Sequence, residues 1–475
     1  MKVLFITELL DDYGVDEPLG ILSLAAVLNK EGHEVKLAPA HFEKAQAICD
    51  EYKPDILAYS LTTLFAIPAI KLNRQLRQRG TYFSIFGGPH PTFFPEMIEE
   101  EGVDAICIGE GEEAIVDFIG KVETKKDYSS TLNWWVKTPE GIVKNPIRPL
   151  IQNLDALPLA DRRSFYSYIP KENFKRKAFM ASRGCPYNCT YCFNHKYAEL
   201  YKGLGRRVRY RTVENVLMEI EDVREKYPPL ELVHFSDDVL VLNNKWFSEF
   251  AIKYPKRIGI PYSCMVRIDN LNEDMVAKLK ASGCHYVIFA IETGNETFRA
   301  SALNRHMTND TIIQGSKLLK GAGIKIYAQN MLGLPGGDLS KDLETLDLNI
   351  QCRPDFVWTS LFYPFPRTVL GNRSRDLGLI DDKINFAPTT YYQKSPLKIP
   401  NKKETENLHK LFALFASFPI LRPLVRPLIA LPLGNLYEIL RRSWKGYTSF
   451  RLAPYSFGIK GFVKRTSDLL FKKGY

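Results

Sequence analysis

Ala181-Ser-Arg-Gly-Cys185-Pro-Tyr-Asn-Cys189-Thr-Tyr-Cys192-Phe193 sets three cysteines in a C-x3-C-x2-C spacing directly after a short apolar run. That spacing puts three thiolates within reach of one centre. Structural zinc takes four protein ligands and closes its site, whereas an iron–sulfur cluster held by three cysteines keeps one iron open to an outside ligand. His195, three residues beyond Cys192, offers a fourth ligand and keeps a Cys3His zinc knuckle among the readings. The surroundings argue the other way. A zinc knuckle is a small independent unit, and this loop opens a run of about 180 residues in which strand and helix patterns alternate.

Strand patterns at 178–182, 232–235, 262–268, 286–293, 325–332 and 356–361, separated by helical ones, predict a partial parallel barrel. Its functional face is then the rim at the C-terminal strand ends. The second strand closes on His234-Phe-Ser-Asp237-Asp238, an acidic pair that either accepts hydrogen bonds from a ligand or caps a turn. Arg267 closes the third strand, and its planar fork suits a carboxylate or a structural salt bridge with Asp269. The fourth closes on Ala290-Ile-Glu292-Thr293-Gly, followed by Leu303-Asn-Arg305-His-Met-Thr, and the fifth on Leu332-Gly-Leu-Pro-Gly-Gly.

The cysteine spacing, Tyr191 before the third cysteine, the near match of Ala290-Ile-Glu-Thr-Gly to an Ile-Glu-Ser-Gly segment and the order of these motifs resemble the radical S-adenosylmethionine (SAM) superfamily over roughly residues 175 to 370. The resemblance implies a [4Fe-4S] cluster on Cys185, Cys189 and Cys192, SAM on its open iron, and one-electron cleavage to a 5′-deoxyadenosyl radical. It implies Tyr191, Phe193, Asp237, Asp238, Arg267, Glu292, Thr293 and Arg305 as SAM contacts. Arg267 and Arg305 both suit the SAM carboxylate, and the Gly-Leu-Pro turn would bound the adenine. No residue is assigned as a catalytic acid or base.

Residues 1 to 122 carry five further strand patterns, at 2–7, 34–40, 55–61, 82–88 and 104–109, alternating with helices. This predicts a Rossmann-like parallel sheet with ligands outside the carboxyl ends of its strands. The turns there read Ser60-Leu-Thr62-Thr-Leu-Phe, Gly87-Gly88-Pro-His90 and Gly109-Glu110-Gly-Glu. Such glycines are either tight turns or places of close backbone approach to a ligand. The first turn, residues 8 to 20, lacks G-x-G-x-x-G, which disfavours a dinucleotide. Upstream of a radical SAM motif the arrangement is similar to the cobalamin (B12)-binding domain of B12-dependent radical SAM enzymes. That similarity implies Ser60, Thr62, Gly87, Gly88, His90, Gly109 and Glu110 as cobalamin contacts. The D-x-H-x-x-G motif is absent, so no histidine is named as lower cobalt ligand.

At 475 residues the chain exceeds one ordinary core. The expected organisation is an α/β B12-binding domain over 1–125, a linker over 126–175 with a small hairpin and the packed pair Trp134 and Trp135, a (β/α)6 radical SAM barrel over 176–370, and a basic, apolar, mainly helical extension over 371–475. Five of the eight cysteines, Cys49, Cys107, Cys264, Cys284 and Cys352, lie apart; the last three could in principle hold an auxiliary cluster, but their wide spacing favours ordinary buried thiols. There is no disulfide framework, and Asp11 and Asp12 end the first apolar run without a cleavage site, so a cytoplasmic protein is expected. Tyr327, Tyr363 and Phe365 read as either cavity lining or core.

The net charge of +10 is confined to one place. Residues 401–475 hold 14 Lys and Arg against 4 Asp and Glu, and the remaining 400 residues balance at 50 against 50. Arg422, Arg426 and four prolines interrupt the apolar stretch from Leu411, so a transmembrane helix is not expected. Interfacial helices at the inner membrane face, or a helical cap on the barrel, fit instead. Nucleic acid is not an expected partner. The resulting expectation is a B12-dependent radical SAM enzyme methylating an unactivated carbon of a small-molecule or lipid-like substrate, with an electron donor such as flavodoxin or ferredoxin. In that family pattern one SAM methylates cobalamin and a second yields the radical that removes a substrate hydrogen. The same cofactors also serve cyclases, oxidases and rearrangement enzymes without methyl transfer. A tRNA methylthiotransferase would bring a second three-cysteine site, yet only Cys49 and Cys107 precede Cys185.

Overall fold

The computed structural model describes residues 1–8, 17–169, 174–380 and 394–452. Most of the first turn and the end of the C-terminal extension lie outside the described residues. The chain forms two compact units, Met1–Asn173 with Lys196–Arg211, and Phe174–His195 with Thr212–Tyr475.

In the first unit the strands Lys2–Thr7, Glu34–Pro39, Ile56–Ser60, Phe83–Gly87 and Ala105–Cys107 pair in parallel in the order second, first, third, fourth, fifth. Their near-continuous apolar runs follow from burial on both faces, as in Val3, Leu4, Phe5 and Ile6. The order reverses beside the first strand, so the crevice lies where the first and third strands end. The hairpin Trp134–Thr138 and Gly141–Lys144, read from sequence as part of a linker, extends this sheet antiparallel to the fifth strand. Trp134 fixes it there: its ring stacks on Phe118 at 4.1 Å and its Nε1 donates to the Ala114 carbonyl at 2.9 Å. Arg162 forms a buried ion pair with Glu17, and Tyr166 donates to the same carboxylate. The stretch after the hairpin therefore belongs to the sheet unit.

In the second unit the strands Arg176–Phe179, Leu232–Phe235, Tyr262–Met265, Cys284–Glu292, Lys325–Leu332 and Phe356–Leu361 lie parallel in sequence order, forming the partial (β/α)6 barrel. Short polar side chains start the intervening helices. Thr212, Asn243, Asn272, Asn295, Thr308 and Asp338 each accept a hydrogen bond from the backbone N–H three residues on. Each such cap stabilises its helix by about 1 kcal/mol and sets the turn that feeds it. The polar residues at the strand ends are thereby held at one rim.

The last barrel strand has an open edge, which exposed backbone would make a pairing hazard. The helix Lys402–Ser417 lies against it, with Leu408, Leu411, Phe412 and Phe415 buried on Leu332, Leu346, Val357 and Leu361. Outside that helix come Val425–Ala430 and Gly434–Leu452. The end of the latter reaches the opposite end of the barrel from the rim. There His285 Nε2 meets the Leu452 carbonyl at 2.9 Å, Lys325 Nζ donates to the Arg451 carbonyl at 2.7 Å, and Leu452 packs with Tyr286 and Phe356.

Candidate functional site

The cysteine loop follows the first barrel strand, and its base is pinned from the second. Asp237, fully buried, accepts hydrogen bonds from the Ala181 and Ser182 backbone N–H groups and from the Ser182 hydroxyl. Burial pushes its carboxyl up to about 6 against those hydrogen bonds. Its position beside the loop is thus structural in chemistry: both oxygens serve the chain just before Cys185. Asp238 is exposed, near enough for its charge to raise the Cys192 thiol.

Cys189 is buried and Cys185 and Cys192 are partly exposed. The Cys192 sulfur accepts the Asn194 N–H at 3.4 Å. Burial pushes the Cys192 thiol up to about 11, with further contributions from Asp238, Cys189 and Cys185. Cys185 and Cys189 are near enough to act on Cys192 electrostatically, and three thiols with an N–H donor make a donor set of the kind an iron–sulfur cluster takes. Among the described residues no three His, Cys, Asp or Glu side chains stand close enough to hold one metal ion.

The fourth strand supplies the charged partner. Its end is bulged between Ala290 and Glu292, and Glu292 itself has φ +65°, a conformation unusual for a residue with a side chain. The turn aims the carboxylate at the cysteine loop, where Tyr191 donates its phenol O–H to Glu292 Oε1 at 2.8 Å. Arg305 Nη1 donates to the Tyr191 oxygen at 3.2 Å and lies 3.9 Å from the Cys189 sulfur, while its Nη2 donates to the Ala290 carbonyl at 2.8 Å. Burial opposes the Arg305 charge, but Tyr191, Glu292 and Cys189 outweigh it and hold its pKa above the ordinary value. Burial pushes the Glu292 carboxyl up, and Arg305 and the Tyr191 phenol pull it back. Cys189, Arg305, Tyr191 and Glu292 thus come together in one chain of contacts, buried except for the half-buried Tyr191.

Other rim residues are placed differently. Arg267 forms a bidentate pair with Asp269 at 3.0 and 2.7 Å, and its guanidinium stacks at 3.6 Å on the ring of Tyr187, inside the cysteine loop. Tyr187 in turn donates to Asn270 at 2.9 Å. Thr293 is buried toward the helix Leu339–Cys352, its hydroxyl 3.5 Å from that of Thr345. Phe193 meets Phe365 edge to face at 6.1 Å. Tyr187 and Arg299 are the residues that sequence reading passed over. Arg299 is fully buried and donates to the carbonyls of Thr293 and Met307 and to Asn309, which fixes the loop that carries Arg305. An arginine on the inward face of a helix was its only signal in the sequence.

In the first unit the three strand-end turns, two of them bearing glycines, are tied to one another. Leu61 N–H donates to the Gly87 carbonyl at 2.8 Å, His90 N–H to the Leu61 carbonyl at 2.9 Å, and Gly109 N–H to the Thr92 hydroxyl at 3.0 Å. Ser60, Gly87, Gly88 and His90 are partly exposed and Thr62 is exposed, while His90 stacks on Phe94 at 5.0 Å. At two glycines the room a side chain would need is taken by the protein. A Cβ on Gly88, at φ +90°, would meet the Leu61 nitrogen at 2.8 Å, and one on Gly109 would strike the Tyr201 hydroxyl. The Glu110 carboxylate is engaged with Arg209 at 2.9 Å and with the Ile151 N–H at 2.9 Å. Ser60, Thr62, Gly87 and His90 remain as the polar, accessible edge of the crevice.

The comparisons agree with both units. Residues 180–348 match the radical SAM superfamily and residues 11–119 match the B12 binding domain. The chain thus combines a radical SAM domain with a B12-binding domain. It is 26% identical over 369 residues to an uncharacterized methyltransferase of Pyrococcus horikoshii, covering 74% of this chain and 77% of that one. It is 21% identical to a cytidylyl-2-hydroxyethylphosphonate methyltransferase of Streptomyces wedmorensis, covering 84% and 85%, and 26% identical to an anaerobic magnesium-protoporphyrin IX monomethyl ester cyclase of Rubrivivax gelatinosus, covering 70% and 61%. Among solved structures the fold matches the radical SAM methyltransferase TsrM of Kitasatospora setae (TM-score 0.66, 16% identity, 79% of this chain and 75% of that one). It also matches the cobalamin-dependent radical enzyme OxsB (TM-score 0.67, 14% identity, 98% and 78%).

Proposed function

We propose that this enzyme transfers a methyl group to an unactivated carbon of an apolar, lipid-like substrate, using SAM, a [4Fe-4S] cluster and cobalamin. The observation that carries the reading is the chain of contacts through Cys189, Arg305, Tyr191 and Glu292 beside the three-cysteine loop. Cys185, Cys189 and Cys192 would hold the cluster, and the turns bearing Ser60, Thr62, Gly87 and His90 would hold cobalamin. When bound, these groups supply one-electron cleavage of SAM and carriage of the methyl group.

The protein's own contribution is placement and electrostatics. Arg305 supplies a fixed cation next to a sulfur ligand and, through Tyr191, next to Glu292. A SAM molecule on the open iron carries a carboxylate and an amine, and this group presents one charge suited to each. Asp237 and Arg267 act earlier in the chain of support, Asp237 holding the entry to the cysteine loop and Arg267 stacking on Tyr187 between its first two cysteines. The electron would come from a small reductant protein of the flavodoxin or ferredoxin kind. An apolar substrate is supported by the basic and apolar C-terminal extension, and a peripheral membrane contact there would bring such a substrate within reach.

A second reading, cyclisation or oxidation without methyl transfer, draws support from the likeness to the magnesium-protoporphyrin ester cyclase. Methyl-labelled SAM separates the two. Incubated anaerobically with reductant and a lipid extract of its own cells, the enzyme is expected to yield a labelled apolar product one methyl heavier. A product that forms without label would overturn methyl transfer.

A further inference from the structure

Of the sixteen exposed large apolar side chains among the described residues, nine fall between Phe418 and Tyr447. The helix Gly434–Leu452 explains the concentration, for it carries two apolar stripes. Tyr437, Thr448 and Leu452 are buried on its inner side. Leu436, Ile439, Leu440 and Tyr447 fall at i, i+3, i+4 and i+11 and are exposed on its outer side. A surface helix in water presents polar residues outward, so the outer stripe has no use in an aqueous protein surface. The helical hairpin formed by Pro419–Leu424, Val425–Ala430 and Gly434–Leu452 is the outer layer of this region, because the helix Lys402–Ser417 already covers the barrel edge. In its first turn of helix, Pro419–Leu424, Ile420 is 86% exposed.

Charge and aromatic placement say what covers the stripe. Residues 411–452 hold six Lys and Arg and one acidic residue, Glu438, which is itself paired with Arg441 and Arg442. Arg426 and Arg451 are exposed. A second copy of the chain would set these cations against themselves across a twofold axis, whereas an anionic lipid surface complements them. Trp444 lies between Phe418 at 5.2 Å and Tyr447 at 5.3 Å, with its Nε1 donating to the Ser417 hydroxyl at 3.3 Å. Rings with a wet polar edge are what the headgroup region favours. No described helix is long and apolar enough to cross a membrane, and prolines 419, 423, 427 and 432 break the segment into short pieces that suit lying in the interface.

We propose that the hairpin from Phe418 to Tyr447 is a docking surface for an anionic bilayer, with Ile420, Leu436 and Ile439 among acyl chains and Arg426 and Arg451 at lipid phosphates. The inference deepens the apolar-substrate reading, on which its purpose rests, while its chemistry stands on the surface alone. The test is flotation of the full-length protein with vesicles of phosphatidylcholine alone or mixed with phosphatidylglycerol. The protein is expected to float with the mixed vesicles about tenfold more than with the neutral ones, and to be released by high salt. The double variant L436E/I439E is expected to stay in the soluble fraction with unchanged melting temperature, because both side chains point outward. Wild type that ignores mixed vesicles, or a double variant that floats like wild type, overturns the proposal. So does a wild-type dimer in solution that the same variant splits without any vesicle binding. Formation of 5′-deoxyadenosine is scored separately: if it is absent while flotation persists, the proposed chemistry fails and the surface stands.

Discussion

On the barrel rim, ionisable side chains hold one another: Arg305 reaches Tyr191 and Cys189, Tyr191 reaches Glu292, and Arg267 clamps Asp269 and Tyr187. At the carboxyl end of the N-terminal sheet the backbone does this work, through Leu61, Gly87, His90 and Gly109, and the nearby hydroxyls of Ser60 and Thr62 are left at the edge. The difference follows from what each site would hold. A small zwitterion on a cluster needs fixed charges in a dry place, where Coulomb interactions are strong. A large, neutral-faced corrin needs a shaped surface that backbone turns can form without buried charge.

Variants in the two regions should therefore fail differently. The largest effect is expected from Cys189→Ala, which would remove a proposed cluster ligand. Iron, sulfide and 5′-deoxyadenosine formation should be lost, while cobalamin, measured by its visible absorbance, stays bound. Loss of both cofactors together would mean that the sites are not separable. Next comes Arg305→Met, which strips the cation from a buried carboxylate. SAM affinity of the iron-loaded enzyme should fall by about a hundredfold, with Arg305→Lys restoring part of it, and cobalamin content should not move. Isothermal titration with SAM reads both.

Gly88→Ala probes the other side of the comparison. Its φ of +90° and the 2.8 Å approach to the Leu61 nitrogen predict a destabilisation of about 1–3 kcal/mol together with lower cobalamin retention, while iron content remains that of wild type. Unchanged cobalamin affinity in a stable variant would remove this turn from the site. The smallest effect concerns Asp342, which accepts the Gly333 N–H at 3.1 Å and the Thr405 hydroxyl at 3.2 Å, tying the fifth-strand turn to the C-terminal helix. Burial pushes its carboxyl from the ordinary 3.8 up to about 7. The folded state then keeps a proton that the unfolded chain releases, so wild type loses stability relative to Asp342→Asn as pH rises between those values, and the gap is constant above them. Melting curves of the two proteins across that range should diverge; parallel curves would show that the carboxyl titrates normally.

Much of this was legible in the residues. The six barrel strands and the five parallel strands of the first unit fall where apolar patterns and turn residues put them: the first sheet is covered on two faces and leaves near-unbroken apolar runs, while a barrel strand such as Lys325–Leu332 keeps a buried residue at every second position. The cysteine spacing likewise exposed its loop. What periodicity could not carry is long-range pairing. Whether Arg267 meets a ligand or Asp269, and whether Asp237 faces SAM or the chain beside it, depends on partners brought in by the fold. The hairpin around Trp134 looked like a linker because its strands are short and polar at one end, and only Phe118 and the Ala114 carbonyl reveal its anchoring. Glu110 carried a plausible ligand signature, yet its carboxylate is engaged with Arg209, 99 residues away in sequence.

The central claim is that the cysteine loop and its charged neighbours generate a SAM-derived radical while a separate turn surface retains cobalamin. Anaerobically reconstituted protein, supplied with dithionite and SAM and assayed for 5′-deoxyadenosine by mass spectrometry, tests it most directly. The account predicts formation by wild type and none by Cys189→Ala with cobalamin equally bound in both. Zinc in place of iron, with no 5′-deoxyadenosine from wild type, would contradict it.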